Sequence, residues 1–146
     1  MTRILAYPRP DGQMAVRNHL FVLPAVVCAN QVAIDVARDI PGVKYVEHQH
    51  GCAQIGADLA QTQRVFSHLA AHPNAFATML VGLGCEGVVT KDLYEQTRLR
   101  TTKPLAVILI QEAGGTPGAR AEVAAWAARE QARAAQAVRT AADWPA

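Results

Sequence analysis

Aromatic residues are scarce in this chain of 146 residues, at 5% of positions, although 51% of the residues are hydrophobic. Alanine, valine and leucine therefore have to do most of the packing. Charged residues make up only 18%, and this balance indicates a globular domain and argues against disorder. The length fits one domain that is large enough to bury a core. No apolar run reaches the roughly 18 residues that a membrane span needs, so no membrane partner is expected.

Runs of basic residues are also missing, and the net charge is only +2. No stacking aromatics accompany the arginines and lysines, so nucleic acid is not expected as a partner. The first ten residues lack the apolar core of a signal peptide, because residues 8–10 interrupt it with two prolines and an arginine. Cysteine is limited to Cys28, Cys52 and Cys85, an odd number at wide spacings, which favours free thiols in a reducing cytoplasm.

Apolar runs and helical patterns alternate along the chain after residue 18. Strands are predicted at 19–23, 43–47, 76–81 and 105–110. Helices are predicted at about 31–40, at about 58–71, from about 91, and at 116–141. The third and fourth runs are apolar almost throughout, which is typical of parallel strands that are covered on both faces. We therefore predict an α/β fold, a three-layer Rossmann-like or flavodoxin-like domain with an open parallel sheet of about four strands and helices on both faces.

Two organisational predictions accompany this fold. Residues 1–18 are expected to form an irregular N-terminal segment, and residues 19–146 a single α/β domain. Asn30, Thr90 and Thr116 are the expected N-caps of the first, third and fourth helices, because their side chains can accept hydrogen bonds from free backbone amides.

The densest group of candidate functional side chains follows the second predicted strand, where His48, His50 and Cys52 fall within five positions. Residues two apart in extended backbone point to the same side, so these three side chains are expected to share one side of the loop. Imidazole and thiolate groups placed in this way suit a transition metal or a general base with a partner. The alternative interpretation is a polar turn in which one histidine caps a helix and Cys52 is a small buried hydrophobic residue.

Polar side chains and glycines that could form a site follow the other predicted strands as well. They are Cys28 and Asn30 after the first, Cys85 and Glu86 after the third, and Gln111, Glu112, Gly114 and Gly115 after the fourth. Open α/β sheets bind ligands outside the carboxyl ends of their strands, and the helix N-termini at that edge favour anions. We therefore predict one site built from four loops. Cys28 can equally be a core residue, because buried cysteine is common.

Residues outside these loops have less specific interpretations. Arg17 and Asn18 precede the first predicted strand, where they either anchor an anionic substrate or fix the N-terminal turn. His19 adjoins that strand and is expected to be structural. His68 and His72 lie on a helix face and at its end, where solvent exposure or a helix C-cap explains them.

Two other functions compete with a catalytic site. The spacing Gly82-x-Gly84-x-x-Gly87 matches a dinucleotide-binding fingerprint, and Glu112 ends the next predicted strand, where a ribose-binding acid is expected. A non-catalytic Rossmann-like module that binds a nucleotide or an anion is therefore an alternative. The other is an interaction domain whose open sheet edge and Ala-rich last helix form a dimer.

Five short motifs, taken together and in this order, resemble the altronate/galactarate dehydratase family, whose wider membership includes sulfolactate sulfo-lyase. They are Pro8-Arg9-Pro10-Asp11-Gly12 with Val16-Arg17-Asn18, Val27-Cys28-Ala29-Asn30, His48-Gln49-His50-Gly51-Cys52-Ala53-Gln54, Gly82-Leu83-Gly84-Cys85-Glu86, and Gln111-Glu112-Ala113-Gly114-Gly115-Thr116. The resemblance covers about residues 6–117, which correspond to the first half of the family's large domain.

The resemblance implies metal-assisted β-elimination of water from a hydroxy-acid anion. Such chemistry needs a base for the proton next to the carboxylate and a cation for the resulting charge. The implied cofactor is a divalent metal, iron(II) in the best-known members, with manganese or zinc as alternatives. The implied catalytic residues are His48, His50 and Glu86, and the implied metal ligands are His48, His50, Cys52 and Cys85. The implied substrate-binding residues are Arg17, Asn18, Asn30, Gln54, Gln111, Glu112, Gly114, Gly115 and Thr116.

Family members typically continue past this point with a second half rich in glycine and cysteine. The resemblance therefore implies that a homo-oligomer or a partner subunit completes the site. Two other interpretations are that the chain is a piece of a longer protein, or that it is a divergent relative without turnover.

Overall fold

The computed structural model describes residues 2–144, so the outer limits of the two predicted segments, residues 1 and 146, lie outside the described part. Seven strands form within those residues: β1 (Thr2–Pro8), β2 (Met14–Ala15), β3 (His19–Pro24), β4 (Val43–Tyr45), β5 (Ala75–Gly82), β6 (Leu105–Leu109) and β7 (Thr140–Trp144). The helices there are α1 (Asn30–Asp39), α2 (Gly56–Ala70), α3 (Thr90–Arg98) and α4 (Gly115–Ala134). A single 3-10 turn, Val27–Ala29, precedes α1.

The central feature is a parallel sheet of four strands in the order β4-β3-β5-β6. Leu20 of β3 stands in register with Val43 on one side and with Ala77 on the other. Helices α1 and α4 contact each other on one face of the sheet, and α2 and α3 contact each other on the opposite face. The predicted α/β fold with an open parallel sheet and helices on both faces is therefore confirmed, and its strand order is the flavodoxin-like one.

Two separate cores hold the helices to the sheet. Adjacent strand residues point to opposite faces, so Val22 packs beneath α1 and α4 while Leu23 packs beneath α2 and α3. The first core also contains Val32, Val36, Met79, Val81, Val123 and Trp126. The second also contains Phe66, Leu80, Val88 and Leu93. Because β3 and β5 contribute to both cores, they are the buried centre of the molecule.

The prediction that residues 1–18 are irregular is wrong for β1 and β2. These strands and β7 form a three-stranded antiparallel sheet in the order β2-β1-β7. The pairing of β1 with β7 runs from Thr2 opposite Trp144 to Ala6 opposite Thr140. The last helix accordingly ends at Ala134 and not at 141, because residues 140–144 pair with β1. This pairing overrides the high helix propensity of the alanine-rich C-terminal sequence.

The three predicted N-caps are also wrong, because α1 and α3 begin one residue earlier, and α4 two residues earlier, than those assignments require. Ala29, Val89 and Gly114 occupy the cap positions, and none makes a side-chain capping bond. Asn30 donates to the backbone oxygen of His48, and the Thr90 hydroxyl donates to Glu86. In α2 the apolar side chain of Val65 is 53% exposed.

A buried charged cluster joins the N-terminal segment to the C-terminal end of α2. Arg9 Nε donates to the Pro73 oxygen (2.8 Å), and Lys103 Nζ donates to the Ala71 oxygen (2.8 Å). Lys103 is only 5% exposed, and burial lowers its pKa to about 8. Asp11 opposes this shift, and its carboxylate accepts a hydrogen bond from the Thr101 hydroxyl (2.8 Å). The ammonium of Lys103 therefore satisfies carbonyls at a helix end, where cations are favoured, but loses hydration.

The lowered pKa of Lys103 predicts a rise in stability at alkaline pH. Between pH 8 and 10.5 the unfolded chain keeps a proton that the folded chain has released, so the unfolding free energy should increase, by at most about 3 kcal/mol. Denaturant unfolding of the wild type and of Lys103→Met across this range measures the effect. The rise should be smaller in Lys103→Met than in the control Lys44→Met, whose lysine is exposed. Equal pH profiles of the two variants would contradict the prediction.

Candidate functional site

The loops that follow the four parallel strands meet at one edge of the sheet, which we call the C-terminal rim (residues 25–30, 46–55, 83–89 and 110–114). The Val27 amide donates to the His50 oxygen (2.9 Å), and the Val88 amide donates to the Gly51 oxygen (3.1 Å). The backbone amide of Gln111 donates to the backbone oxygen of Leu83 (3.1 Å). Each loop is thus bonded to a neighbouring one, as a single site built from four loops requires.

His48 is held by both of its ring nitrogens. Nε2 lies 2.8 Å from the Pro24 oxygen, and Nδ1 accepts a hydrogen bond from the His50 amide (3.1 Å). The carbonyl can only accept, so the proton is on Nε2 and the ring is neutral. Burial lowers the pKa of His48, which the hydrogen bond to Pro24 opposes and the charge of His50 reinforces. The predicted catalytic and metal-binding roles of His48 would each require one of these bonds to break.

His50 lies on the outside of the same loop and is exposed. Its ring stacks against that of His48 at 6.2 Å between centroids and makes no hydrogen bond within residues 2–144. It lines a cavity of about 470 Å³ with the polar residues Gln54, Asp58, Gln61 and Thr62 and the apolar residues Val65 and Phe66. His50 is therefore the rim histidine whose ring remains available for a proton or a ligand.

Glu86 closes the loop that follows β5. Its carboxylate accepts hydrogen bonds from the amides of Leu83 (3.1 Å) and Gly84 (2.5 Å) and from the Thr90 hydroxyl. Burial acts to raise the pKa of Glu86, but these hydrogen bonds together outweigh it and the net pKa is lowered. The ionised carboxylate therefore orders the loop, and its predicted catalytic role stays a prediction.

Asn30 begins α1 at the rim and is 7% exposed. Its Nδ2 donates to the His48 oxygen (2.8 Å), which ties the helix to the His48 loop. Its Oδ1 is buried and has no hydrogen-bond partner. Among the side chains of residues 3–143, no other buried nitrogen or oxygen lacks a partner. Buried acceptors normally have a hydrogen-bond partner, so a donor such as a hydroxyl group of a ligand or of water is expected to bind to this oxygen.

The other predicted substrate-binding residues at or next to the rim show no polar group that is both buried and unpaired. Gln54 uses Oε1 to accept from the Gly51 amide (2.9 Å), and Glu112 pairs with Lys91 (2.9 Å) on the surface. Gln111 and Thr116 are exposed. Gly114 and Gly115 form the turn into α4, and both have a positive φ.

Arg17 and Asn18 do not join this group. They precede β3 and therefore lie at the opposite end of the sheet from the C-terminal rim. Asn18 accepts from Arg9 Nη1 (2.7 Å) and donates to the Ala134 oxygen at the end of α4 (2.8 Å), while Arg17 is exposed. Their predicted role in substrate binding stays a prediction, and the contacts of Asn18 are those of a structural link.

The predicted metal ligands do not assemble a site for one ion. Within residues 2–144 no three His, Cys, Asp or Glu side chains form a group that could hold a metal ion. Cys28, Cys52 and Cys85 are all free and exposed, so the interpretation of Cys28 and Cys52 as buried small residues is wrong. The rim loops therefore present thiols to solvent, but a single divalent ion does not fit the side chains in the described part of the chain.

Sequence reasoning missed two polar residues of the His50 cavity, Asp58 and Gln61. They lie three positions apart on α2 and so share one helix face, a spacing that was visible in the sequence. It also missed the hydroxyl of Thr90 as the partner of Glu86, which lies four positions earlier.

The doubly wound strand order and the polar loops at the C-terminal rim define an α/β domain of the type that binds ligands at this edge. None of the helices in residues 2–144 has the length and hydropathy needed to cross a membrane. The profile described as "D-galactarate dehydratase/Altronate hydrolase, second domain" matches residues 6–136, and the chain belongs to this family of sugar-acid dehydratases and lyases.

Two altronate dehydratases and one sulfolactate sulfo-lyase subunit are similar to part of the chain. Altronate dehydratase of Escherichia coli (strain K12) is 37% identical over 90 residues, which are 55% of this chain and 18% of that protein. Altronate dehydratase of Bacillus subtilis (strain 168) is 34% identical over 90 residues, with the same coverage. The (2R)-sulfolactate sulfo-lyase subunit beta of Chromohalobacter salexigens is 35% identical over 79 residues, which are 54% of this chain and 20% of that protein. The chain spans about a fifth of the length of these relatives, and no solved structure matches it.

Because two rim loops cross at Gly51, we predict that Gly51→Ala strongly lowers the unfolding free energy. A Cβ at this position would lie 2.7 Å from Val26 Cα and closer still to the Ala25 oxygen, and the residue has a φ of +94°. Gly12→Ala is the matched control, because Gly12 has a φ of +81° but nothing within 4 Å of the new Cβ. We expect Gly51→Ala to lower the unfolding free energy by about 1–3 kcal/mol more than Gly12→Ala, as measured by denaturant titration. Equal losses would show that the loops do not pack as described.

The neutral ring of His48 predicts a loss of stability in mild acid. Its folded-state pKa lies below the ordinary 6.5, so the unfolded chain takes up the proton first and the unfolding free energy falls as pH drops below 6.5. In His48→Asn, which cannot titrate, this fall should be smaller than in the wild type. His68→Asn, which removes an exposed histidine, should keep it. The unfolding free energy of both variants should still fall somewhat in mild acid, because burial also lowers the pKa of His19. A wild-type slope in His48→Asn would contradict the prediction.

Proposed function

We propose that the chain is part of a sugar-acid dehydratase and contributes one wall of a site for β-elimination of water from a hydroxy-acid anion. The observation that carries the proposal is the meeting of the rim loops around an exposed imidazole, that of His50, and a buried acceptor without a partner, Asn30 Oδ1. Membership of the dehydratase family supports the reaction class.

The positions of these groups suit a hydroxy acid. The N-terminal end of α1 favours a carboxylate, because the amides of the first turn and the helix dipole are both positive there. Asn30 Oδ1 at the same helix end can accept a hydrogen bond from a substrate hydroxyl. The backbone of His50 is bonded to Val27, three residues before Asn30, so the imidazole and this helix end belong to one part of the rim.

The proton chemistry follows from which groups are free. His50 is the proposed base for the proton next to the carboxylate, since its ring is exposed and makes no hydrogen bond in the described part of the chain. His48 and Glu86 are proposed to position the loops, because their polar atoms already hold backbone groups. The departing hydroxyl needs an acid or a cation, and the side chains of residues 2–144 form no single-ion site that would supply one. Another domain or chain is therefore proposed to complete the site.

The nucleotide-binding alternative is less well supported. A dinucleotide fingerprint uses free amides of the glycine loop to hold phosphate. In this loop the amides of Leu83 and Gly84 already donate to the carboxylate of Glu86, which would also repel a phosphate. The proposed ribose-binding acid, Glu112, is paired with Lys91.

Ligand binding by the isolated chain tests the proposal without requiring turnover. We expect galactarate or altronate to shift the NMR signals of the backbone amides of Asn30 and His50 and of the Asn30 side-chain amide. Adipate, a dicarboxylate without hydroxyl groups, should bind at least about tenfold more weakly, since it leaves the buried acceptor unpaired. His50→Ala should abolish turnover in any complex that is active.

His68→Ala is the matched control for that variant, because His68 is an exposed histidine of α2 away from the rim loops. It should leave binding and turnover unchanged. Equal affinity for adipate and galactarate, or signal shifts that spare the rim, would contradict the proposed function.

A further inference from the structure

The cavity of about 470 Å³ beside His50 lies between the loop that carries this histidine and α2. Its volume is within the roughly 300–1,000 Å³ that small-molecule sites usually have. Of the residues that line it, only His50 has a role in the proposed function. The others are Gln54, Asp58, Gln61, Thr62, Val65 and Phe66. The cavity therefore has room for a part of the ligand to which no residue has yet been assigned.

The apolar part of the cavity lining consists of Val65 and Phe66. Phe66 is 4% exposed, and its ring packs against that of His48 at 4.5 Å between centroids. Val65 precedes it in α2 and is exposed. Apolar surface of this kind, with a few polar groups beside it, is typical of small-molecule sites and can pack against the carbon chain of a ligand.

The polar part of the lining consists mainly of uncharged groups. Gln61 is exposed on α2, and Thr62 next to it contributes a hydroxyl. Gln54 uses Oε1 to accept from the Gly51 amide, and its side-chain nitrogen keeps two protons that can be donated. Amide and hydroxyl groups can bond to the hydroxyls of a ligand as donors or as acceptors. Together with the apolar surface, they suit a carbon chain that bears hydroxyl groups.

Asp58 limits which end of a hydroxy acid the cavity can accept. It is the third residue of α2, and it is exposed. Among the described residues that line the cavity there is no lysine or arginine that could balance a second carboxylate. His50 as the proposed base has to be neutral in order to accept a proton. A ligand carboxylate in the cavity would therefore meet the like charge of Asp58, which is unfavourable, whereas a hydroxyl could donate to it.

We propose that this cavity binds the hydroxyl-bearing tail of the substrate and that Asp58 excludes a second carboxylate from it. The site accordingly prefers a hydroxy acid with a single carboxylate, because a repulsive group discriminates against the acid with two. The inference rests on the proposed function, in which the carboxylate beside the reacting carbon lies at the N-terminal end of α1. His50 belongs to both parts, since its backbone oxygen is bonded to Val27 just before α1 and its side chain lines the cavity.

Binding of galactonate and galactarate to the purified full chain tests the proposal. The two acids have the same hydroxyl configuration and differ only at one end of the chain, which is a hydroxymethyl group in galactonate and a carboxylate in galactarate. At low ionic strength we expect galactonate to bind at least about fivefold more tightly, the factor that corresponds to two like charges a few ångströms apart in water. This preference should shrink at high salt, which screens the repulsion. Galactonate should also shift the side-chain amide NMR signals of Gln54 and Gln61.

Asp58→Asn should bring the two affinities to within about twofold of each other, chiefly by tightening the binding of galactarate, because the amide keeps the shape of the carboxylate but loses its charge. Asp92→Asn is the matched control. Asp92 is an exposed acid that is also the third residue of its helix, α3, and it does not line the cavity. Both variants remove one negative charge from the first turn of a helix, so net charge and helix stability change alike. Asp92→Asn should keep the wild-type preference.

Equal affinities in the wild type, an unchanged preference in Asp58→Asn, or the same change in Asp92→Asn would each overturn the role of Asp58. Signal shifts of Asn30 and His50 that spare Gln54 and Gln61 would show that the tail lies elsewhere. The test of the proposed function compares adipate with galactarate, which carry the same charge, so its outcome does not depend on Asp58. Failure of this inference and failure of the proposed function are therefore distinguishable.

Discussion

The C-terminal rim depends on one contact, the passage of the backbone at Gly51 across the loop that follows β3. A side chain at this position would meet the Ala25 oxygen and would lie 2.7 Å from Val26 Cα. Hydrogen bonds extend from this crossing in both directions, from the His48 ring to the Pro24 oxygen and from the Val88 amide to the Gly51 oxygen. The loops of three strands are thereby held as one unit, because no one of them can move without breaking bonds to the next.

This construction divides the polar residues of the rim into two groups. His48 and Glu86 hold backbone groups, and the pKa of each is lowered, that of His48 by burial and that of Glu86 by the hydrogen bonds that its carboxylate accepts. His50 and the three thiols lie on the outer surface of the same loops and hold nothing in place. A rigid frame that carries free donors is the arrangement that a binding or catalytic site requires, because the frame removes the cost of ordering those donors when a ligand binds.

The sequence was sufficient for the α/β class because strands buried on both faces leave long apolar runs, as in β5 and β6. It was also sufficient for the location of the rim, since residues after parallel strands share one edge of the sheet. The same rule would have placed Arg17 and Asn18 at the opposite edge, because they precede β3. The pairing of β1 with β7 was beyond local reasoning, because it joins residues nearly the whole chain apart and competes with a sequence that favours helix. The unlike roles of His48 and His50 were also hidden, since both have the same local sequence context.

The exposure of the rim limits what it can do alone. Elimination next to a carboxylate creates negative charge, and fixed donors stabilise that charge well only where water is excluded. In this chain His50, Cys28, Cys52 and Cys85 are all exposed, and the cavity beside His50 is lined by α2 and its preceding loop. The proposed chemistry therefore requires a second surface over the rim, which would shield the base and supply the proton donor for the departing hydroxyl. Such a surface would also shield the exposed thiols of the rim from oxidation.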